Sequence, residues 1–169
     1  MHSKTKTIVL SALMAALACV ATMIIKIPSP MKGYLNLGDC VVLAAGWLLP
    51  GGYAFFAAAL GSALADLFSG YIIYAPATFI IKGVMGLIAF VCLKLKIGGK
   101  NKLISQLIGG VLAEITMVAG YFIFEGFLYG FGASVVNVLP NAMQGLAGII
   151  FGMLLIKVLE KANLFGTQE

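Results

Sequence analysis

The sequence predicts an all-α membrane protein with six transmembrane helices and both termini on the cytoplasmic side, and three observations support this. Of 169 residues, 62% are hydrophobic and only 10% are charged, and the mean hydropathy is +1.07. A soluble domain of this length needs far more charge to cover its surface. The apolar residues gather into runs separated by Pro, Gly and Lys, and the length accommodates about six spans of roughly 20 residues with short connections. Residues 1–169 are therefore expected to form a single integral membrane domain, with no room for a second, soluble one. Finally, the chain has eleven lysines, no arginine and a net charge of +5. The lysines stand mainly where the apolar runs end, which is the signature of membrane topology and not of nucleic-acid binding.

The first helix covers about 8-27. Its basic start and apolar core resemble a signal peptide, but no convincing cleavage site precedes Lys26, so it is expected to be retained. Pro28-Ser29-Pro30 closes it, and a connection carrying Lys26, Lys32 and Tyr34 runs to Asn36. The short second run, 37-49, ends at Pro50-Gly51-Gly52, a tight turn that makes it an antiparallel hairpin with the third, 53-67. A loop with Ser69, Gly70, Tyr71 and Tyr74 leads to Pro76, which suits the first turn of the fourth helix, 76-95. Lys94, Lys96, Lys100 and Lys102 surround Gly98-Gly99 in a basic turn, and the fifth helix follows over 103-124. Gly126 to Ser134 reads as a Gly-rich loop, and 140-159 as the sixth helix. With the amino terminus inside, Lys4, Lys6, Lys94, Lys96, Lys100, Lys102, Lys157 and Lys161 are cytoplasmic, while only Lys26 and Lys32 are outside.

Within these apolar runs stand side chains that lipid does not tolerate: Lys82, Glu114, Glu125, Asn141 and Gln144. A central charge costs roughly 2.5 to 3.5 kcal/mol on insertion scales, so such groups face the protein interior or a wet cavity. Lys82 falls about 9 Å below the outer end of its helix. Asn137, Asn141 and Gln144 are spaced by four and three and share one helical face, as do Glu114, Tyr121 and Glu125 on the fifth helix. Three helices thus send polar groups into the outer half of the bundle, which predicts a solute pocket open to the exterior. Two structural alternatives stand beside it: a buried Lys82–Glu114 ion pair, and interhelical hydrogen bonding by the amides. Asp39 and Asp66 flank the second and third helices, and for Asp39 a first-turn role is as well supported as a solute contact.

Small residues on the first helix, including Ala12-x-x-x-Ala16, permit close approach of another helix, either within the bundle or from a partner. Cys19, Cys40 and Cys92 are isolated in apolar segments, which excludes a disulfide framework or zinc site. The spans hold no His and no Ser beside a base, so a membrane enzyme finds no support, and with no Walker motif any ATP hydrolysis belongs to a partner.

The stretches Tyr34-Leu35-Asn36-Leu37-Gly38-Asp39, Gly61-Ser62-Ala63-Leu64-Ala65-Asp66-Leu67 and Tyr74-Ala75-Pro76-Ala77-Thr78-Phe79-Ile80-Ile81-Lys82-Gly83, continuing through Glu114, Gly120-Tyr121-Phe122 and Asn141-x-x-Gln144, resemble the substrate-binding S component of energy-coupling factor (ECF) transporters, in particular the riboflavin-type branch. The resemblance covers nearly the whole chain. It implies a six-helix, S-component-like bundle that binds a vitamin or precursor from outside, with no catalysis and no cofactor of its own. Partners would be the lipid bilayer, a transmembrane coupling (T) protein and two cytoplasmic ATPases. Ala12 and Ala16 match the face that meets the coupling protein in that family. Metal-binding members begin Met-His. This chain begins Met1-His2 but continues Ser3-Lys4 and has no other histidine, so no metal is expected. The expected substrate contacts are Tyr34, Asn36, Tyr71, Tyr74, Lys82, Glu114, Tyr121, Glu125, Asn137, Asn141 and Gln144. Tyrosine faces with polar tips suit a small heterocycle, pyridoxine or hydroxymethylpyrimidine ahead of riboflavin. The rival expectation is a self-sufficient proton-coupled transporter that uses Glu114 and Glu125 as relays.

Overall fold

The computed structural model describes residues 4–28 and 34–161. Met1-His2, Lys32 and the Ser29-Pro30 part of the expected breaker lie outside the described residues. Six helices follow in order: α1 (Lys4–Ile24), α2 (Gly38–Leu48), α3 (Gly51–Phe68), α4 (Ala75–Lys94), α5 (Lys102–Tyr129) and α6 (Phe131–Lys161). Between α1 and α2, the two-residue strands β1 (Ile27–Pro28) and β2 (Tyr34–Leu35) pair antiparallel with Ile27 opposite Leu35, an element the sequence reading lacks.

The bundle is organised around α2, which packs against each of the other five helices. Nine of its eleven residues are buried, from Gly38 to Trp47. At 1.5 Å per residue it is only about 16 Å long, so it falls short of the ~30 Å hydrocarbon core. The other five helices are long and apolar enough to cross. The six helices expected from sequence are all present, and the second is the short one: α2 can stop short because protein, not lipid, surrounds its ends. Asn36 Oδ1 accepts from the Gly38 N–H at 2.8 Å, and the Leu49 N–H returns to the Ala45 carbonyl at 2.9 Å.

Val42, Leu43 and Trp47 of α2 meet Met85 and Ala89 of α4, Ala113 and Met117 of α5, and Ile156 of α6 in the main core. A second cluster joins Met14 and Ala18 of α1 to Val41, Ala44 and Ala45 of α2 and to Ala54 and Ala57 of α3. Close approach of α1 and α3 depends on Gly61, where an added Cβ would stand 2.3 Å from the Ala15 carbonyl oxygen. The outer surface carries the large apolar side chains a soluble protein hides, among them Ile80, Phe127, Leu139 and Val158, each more than 60% exposed. That is the surface expected where hydrocarbon is the solvent.

The largest departure from the sequence reading is at the α5–α6 connection. The expected loop from Gly126 to Ser134 is helical except at Gly130, whose φ of 89° reverses the chain in one residue. Gly126 leaves room for the returning Phe131 ring, since a Cβ there would meet that ring at 2.4 Å. The Ser134 hydroxyl donates to the Phe122 carbonyl at 2.7 Å and ties the two helices together. Pro140 does not begin α6 but lies inside it, nine residues after Phe131.

Candidate functional site

At the end of the bundle opposite the Lys94–Lys102 turn, β2, the start of α2, the end of α3, the start of α4, the end of α5 and the first half of α6 converge. Tyr34, Asn36, Asp66, Tyr71, Tyr74, Thr78, Tyr121, Glu125, Asn141 and Gln144 enclose a cavity of about 40 Å³. That is room for a few waters and not for a heterocycle, so a ligand has to spread the walls.

The rim is aromatic. Tyr34 and Tyr71 rings lie 4.7 Å apart between centroids, and Tyr74 meets Tyr71 at 6.3 Å and Phe124 at 5.4 Å, both edge to face. The Tyr34 hydroxyl donates to Asp66 Oδ1 at 2.6 Å, which ties the inter-helix connection to α3. Burial, and then the Asp66 carboxylate, raise this hydroxyl above its ordinary titration range, so it remains a donor. Lys26 donates to Ser69 and lies 5.7 Å from the Tyr34 ring centroid, beside the rim.

The floor is a continuous polar chain. Gln144 Oε1 accepts from the Asn36 backbone N–H at 2.9 Å and from Asn36 Nδ2 at 3.4 Å, while Gln144 Nε2 donates to Asp39 Oδ2 at 2.6 Å. Asp39 in turn forms a buried ion pair with Lys82, whose ammonium stands 5.6 Å from the Tyr121 ring centroid. Tyr121 and Thr78 share a hydroxyl–hydroxyl bond of 2.9 Å. On the α5–α6 wall, Glu125 Oε1 accepts from Asn137 Nδ2 at 2.9 Å and from the Tyr74 hydroxyl at 3.4 Å.

Of the residues expected from sequence, Tyr34, Asn36, Tyr71, Tyr74, Tyr121, Glu125, Asn141 and Gln144 line this cavity, and Lys82, Glu114 and Asn137 do not. Lys82 is turned to Asp39, so it is Asp39 and not Glu114 that holds it. Glu114 lies deeper, packed where α6 has Gly145 and Gly148; a Cβ on Gly148 would stand 2.8 Å from both Glu114 Oε1 and the Asp39 Cβ. Asn137 stands behind Glu125 and orients it. Two residues outside the expected substrate contacts, Asp66 and Thr78, also line the cavity. Thr78 had a signal, because it precedes Lys82 by four on one face of α4. Asp39 is fully buried, joining the structural pair and the pocket floor.

The family model for the S component of the ECF-type riboflavin transporter matches residues 2–161. The chain belongs to this family, whose members are substrate-binding subunits of membrane transporters. It is an integral, multi-pass membrane protein concerned with vitamin uptake. A curated relative from Pyrococcus woesei, described as an uncharacterised protein in a gap 3' region, is 38% identical over 143 residues, 84% of this chain and 93% of the relative. Among solved structures, the S component of a bacterial ECF transporter superposes with a TM-score of 0.74 at 24% identity, over 95% of this chain and 98% of that one. The S component for biotin from an ECF-type ABC transporter gives 0.63 at 21% identity, over 95% of both chains. These two structures share the fold described above.

Proposed function

We propose that this chain is the specificity subunit of an ECF-type importer, that it binds a water-soluble vitamin or precursor with a single six-membered heterocycle from outside, and that it passes the solute inward by docking on a transmembrane coupling protein energised by two ATPases. One observation carries the reading: four tyrosines, two carboxylates and three side-chain amides from separate elements meet around one chamber at a single end of a membrane bundle. Aromatic faces sandwich a flat ring while the polar atoms read its substituents. Pyridoxine or hydroxymethylpyrimidine suits this lining better than riboflavin, because a tricyclic flavin offers few polar edges to so many polar groups and needs a far wider opening. The lysine distribution supports an orientation in which the chamber faces outward and both termini face the cytoplasm.

Ala12 and Ala16 are exposed on α1, whereas Met14, Ala18, Cys19 and Thr22 face the bundle. This supports the small-residue face as the docking surface for the coupling protein. The deciding experiment is mass spectrometry of the small molecule retained on mild purification, followed by calorimetry with pyridoxine, hydroxymethylpyrimidine and riboflavin. Tight binding of a small ring is expected; binding of riboflavin alone would reject the substrate class. Uptake into liposomes by the purified chain without any ATPase would reject the S-component mechanism in favour of a self-sufficient transporter.

A further inference from the structure

The hydrogen bonds already made around the chamber define what a ligand must bring. The Tyr34 hydroxyl is spent on Asp66 and the Tyr74 hydroxyl on Glu125. Tyr121 and Thr78 are bonded to each other. Asn36 donates to Gln144, and Gln144 donates to Asp39. Among the described residues, Tyr71 and Asn141, both half-buried, are the lining groups whose hydroxyl or amide makes no hydrogen bond. On the acceptor side the balance is different. Glu125 is 2% exposed, and its Oε1 takes two donors while its Oε2 has no partner among the described residues. The oxygen of Asn137 beside it is likewise unmatched.

Charge points the same way. The lining contains two carboxylates, Asp66 and Glu125, and no cation. Lys82 is held by Asp39 beneath the floor and Lys26 by Ser69 beside the rim. A buried acceptor without a donor carries a desolvation cost that a bound ligand relieves only by supplying an N–H or O–H, and a charged acceptor gains most.

We infer that the ligand is an amino-substituted ring and that Glu125 Oε2 receives the N–H of its amino group. The proposal rests on the small-ring reading above and narrows it: Glu125 selects amino over oxo or hydroxyl at one ring position and disfavours solutes bearing their own carboxylate or phosphate. Asn137 and Tyr74 hold the carboxylate in place from its other oxygen.

Two matched pairs test this by calorimetry on the detergent-purified full chain: 4-amino-5-hydroxymethyl-2-methylpyrimidine against its 4-oxo analogue, and pyridoxamine against pyridoxine. In the pair whose ring binds, the amino member is expected to bind about 10- to 100-fold more tightly. Glu125→Gln replaces the acceptor with an amide N–H, so the preference in the pyrimidine pair should collapse or invert. Equal affinity within both pairs, or an amino preference unchanged in Glu125→Gln, would overturn the role of Glu125 while leaving the small-ring reading intact. Binding of riboflavin with neither pair bound would overturn both. Should the variant fold poorly, the wild-type comparison decides without it.

Discussion

The residue that joins most of the site is Asp39, which takes the Lys82 ammonium on one oxygen and the Gln144 amide on the other. Both members of the ion pair are almost wholly buried, so removing one strands the other in the protein interior. Breaking a buried pair in this way costs about 3–5 kcal/mol, whereas replacing both members with uncharged side chains is far milder. Asp39→Ala should therefore lower the melting temperature sharply, while Asp39→Asn combined with Lys82→Met recovers most of the loss in a thermal-shift assay. Gln144→Ala acts differently. It frees the Asn36 segment from α6 and leaves an Asp39 oxygen unmatched, so ligand affinity should fall about tenfold or more with assembly on the coupling protein intact. Unchanged affinity would remove Gln144 from the binding site. That these residues matter was legible in the sequence because charges and amides are out of place in lipid. Their pairing was not, since the choice between Asp39 and Glu114 for Lys82 depends on how far α2 slides along α4, and helical periodicity says nothing about that offset.

Among the elements, the long apolar runs were read nearly to the residue where a proline or a basic turn stops them, as at Pro50 and around Gly98-Gly99. Glycine is the less legible residue: α5 and α6 run on to a one-residue reversal at Gly130, because the same glycines that loosen a loop also permit close helix packing. The consequence is functional, since the extra turns carry Glu125 and Asn137 within reach of each other. On α1 the buried and exposed faces are distinct, with Ala12 and Ala16 pointing away from the bundle. Replacing either by Leu leaves the chamber untouched and adds bulk where a partner helix must approach. Ligand binding should persist and ATP-driven uptake in the reconstituted complex should be lost; retained uptake would move the docking surface elsewhere.

For the whole molecule, the membrane character followed from composition, because 62% hydrophobic residues cannot be hidden inside a chain of 169, and the helix count followed from the spacing of the apolar runs. Lipid must solvate the remainder, and the exposed Ile, Leu, Val and Phe side chains are that remainder. The shortness of α2 was visible as a 13-residue run, but its central position was not, since only the packing shows that a helix too short to span is enclosed by five others. This enclosure fixes which connections share a side. The Lys94–Lys102 turn, the start of α1 and the end of α6 lie at one end, where Lys102 pairs with Glu160, and the tyrosine-rimmed chamber lies at the other. If the anionic inner leaflet and the positive-inside bias set the orientation, a cysteine in place of Lys100 should react with a membrane-impermeant maleimide only after cells are opened. A cysteine in place of Ile72, which is exposed beside Tyr71 and Tyr74, should react on intact cells. Labelling in the reverse order would turn the chamber toward the cytoplasm. A receptor so oriented could not collect solute from outside, and the import direction would fail even if every contact in the chamber were correct.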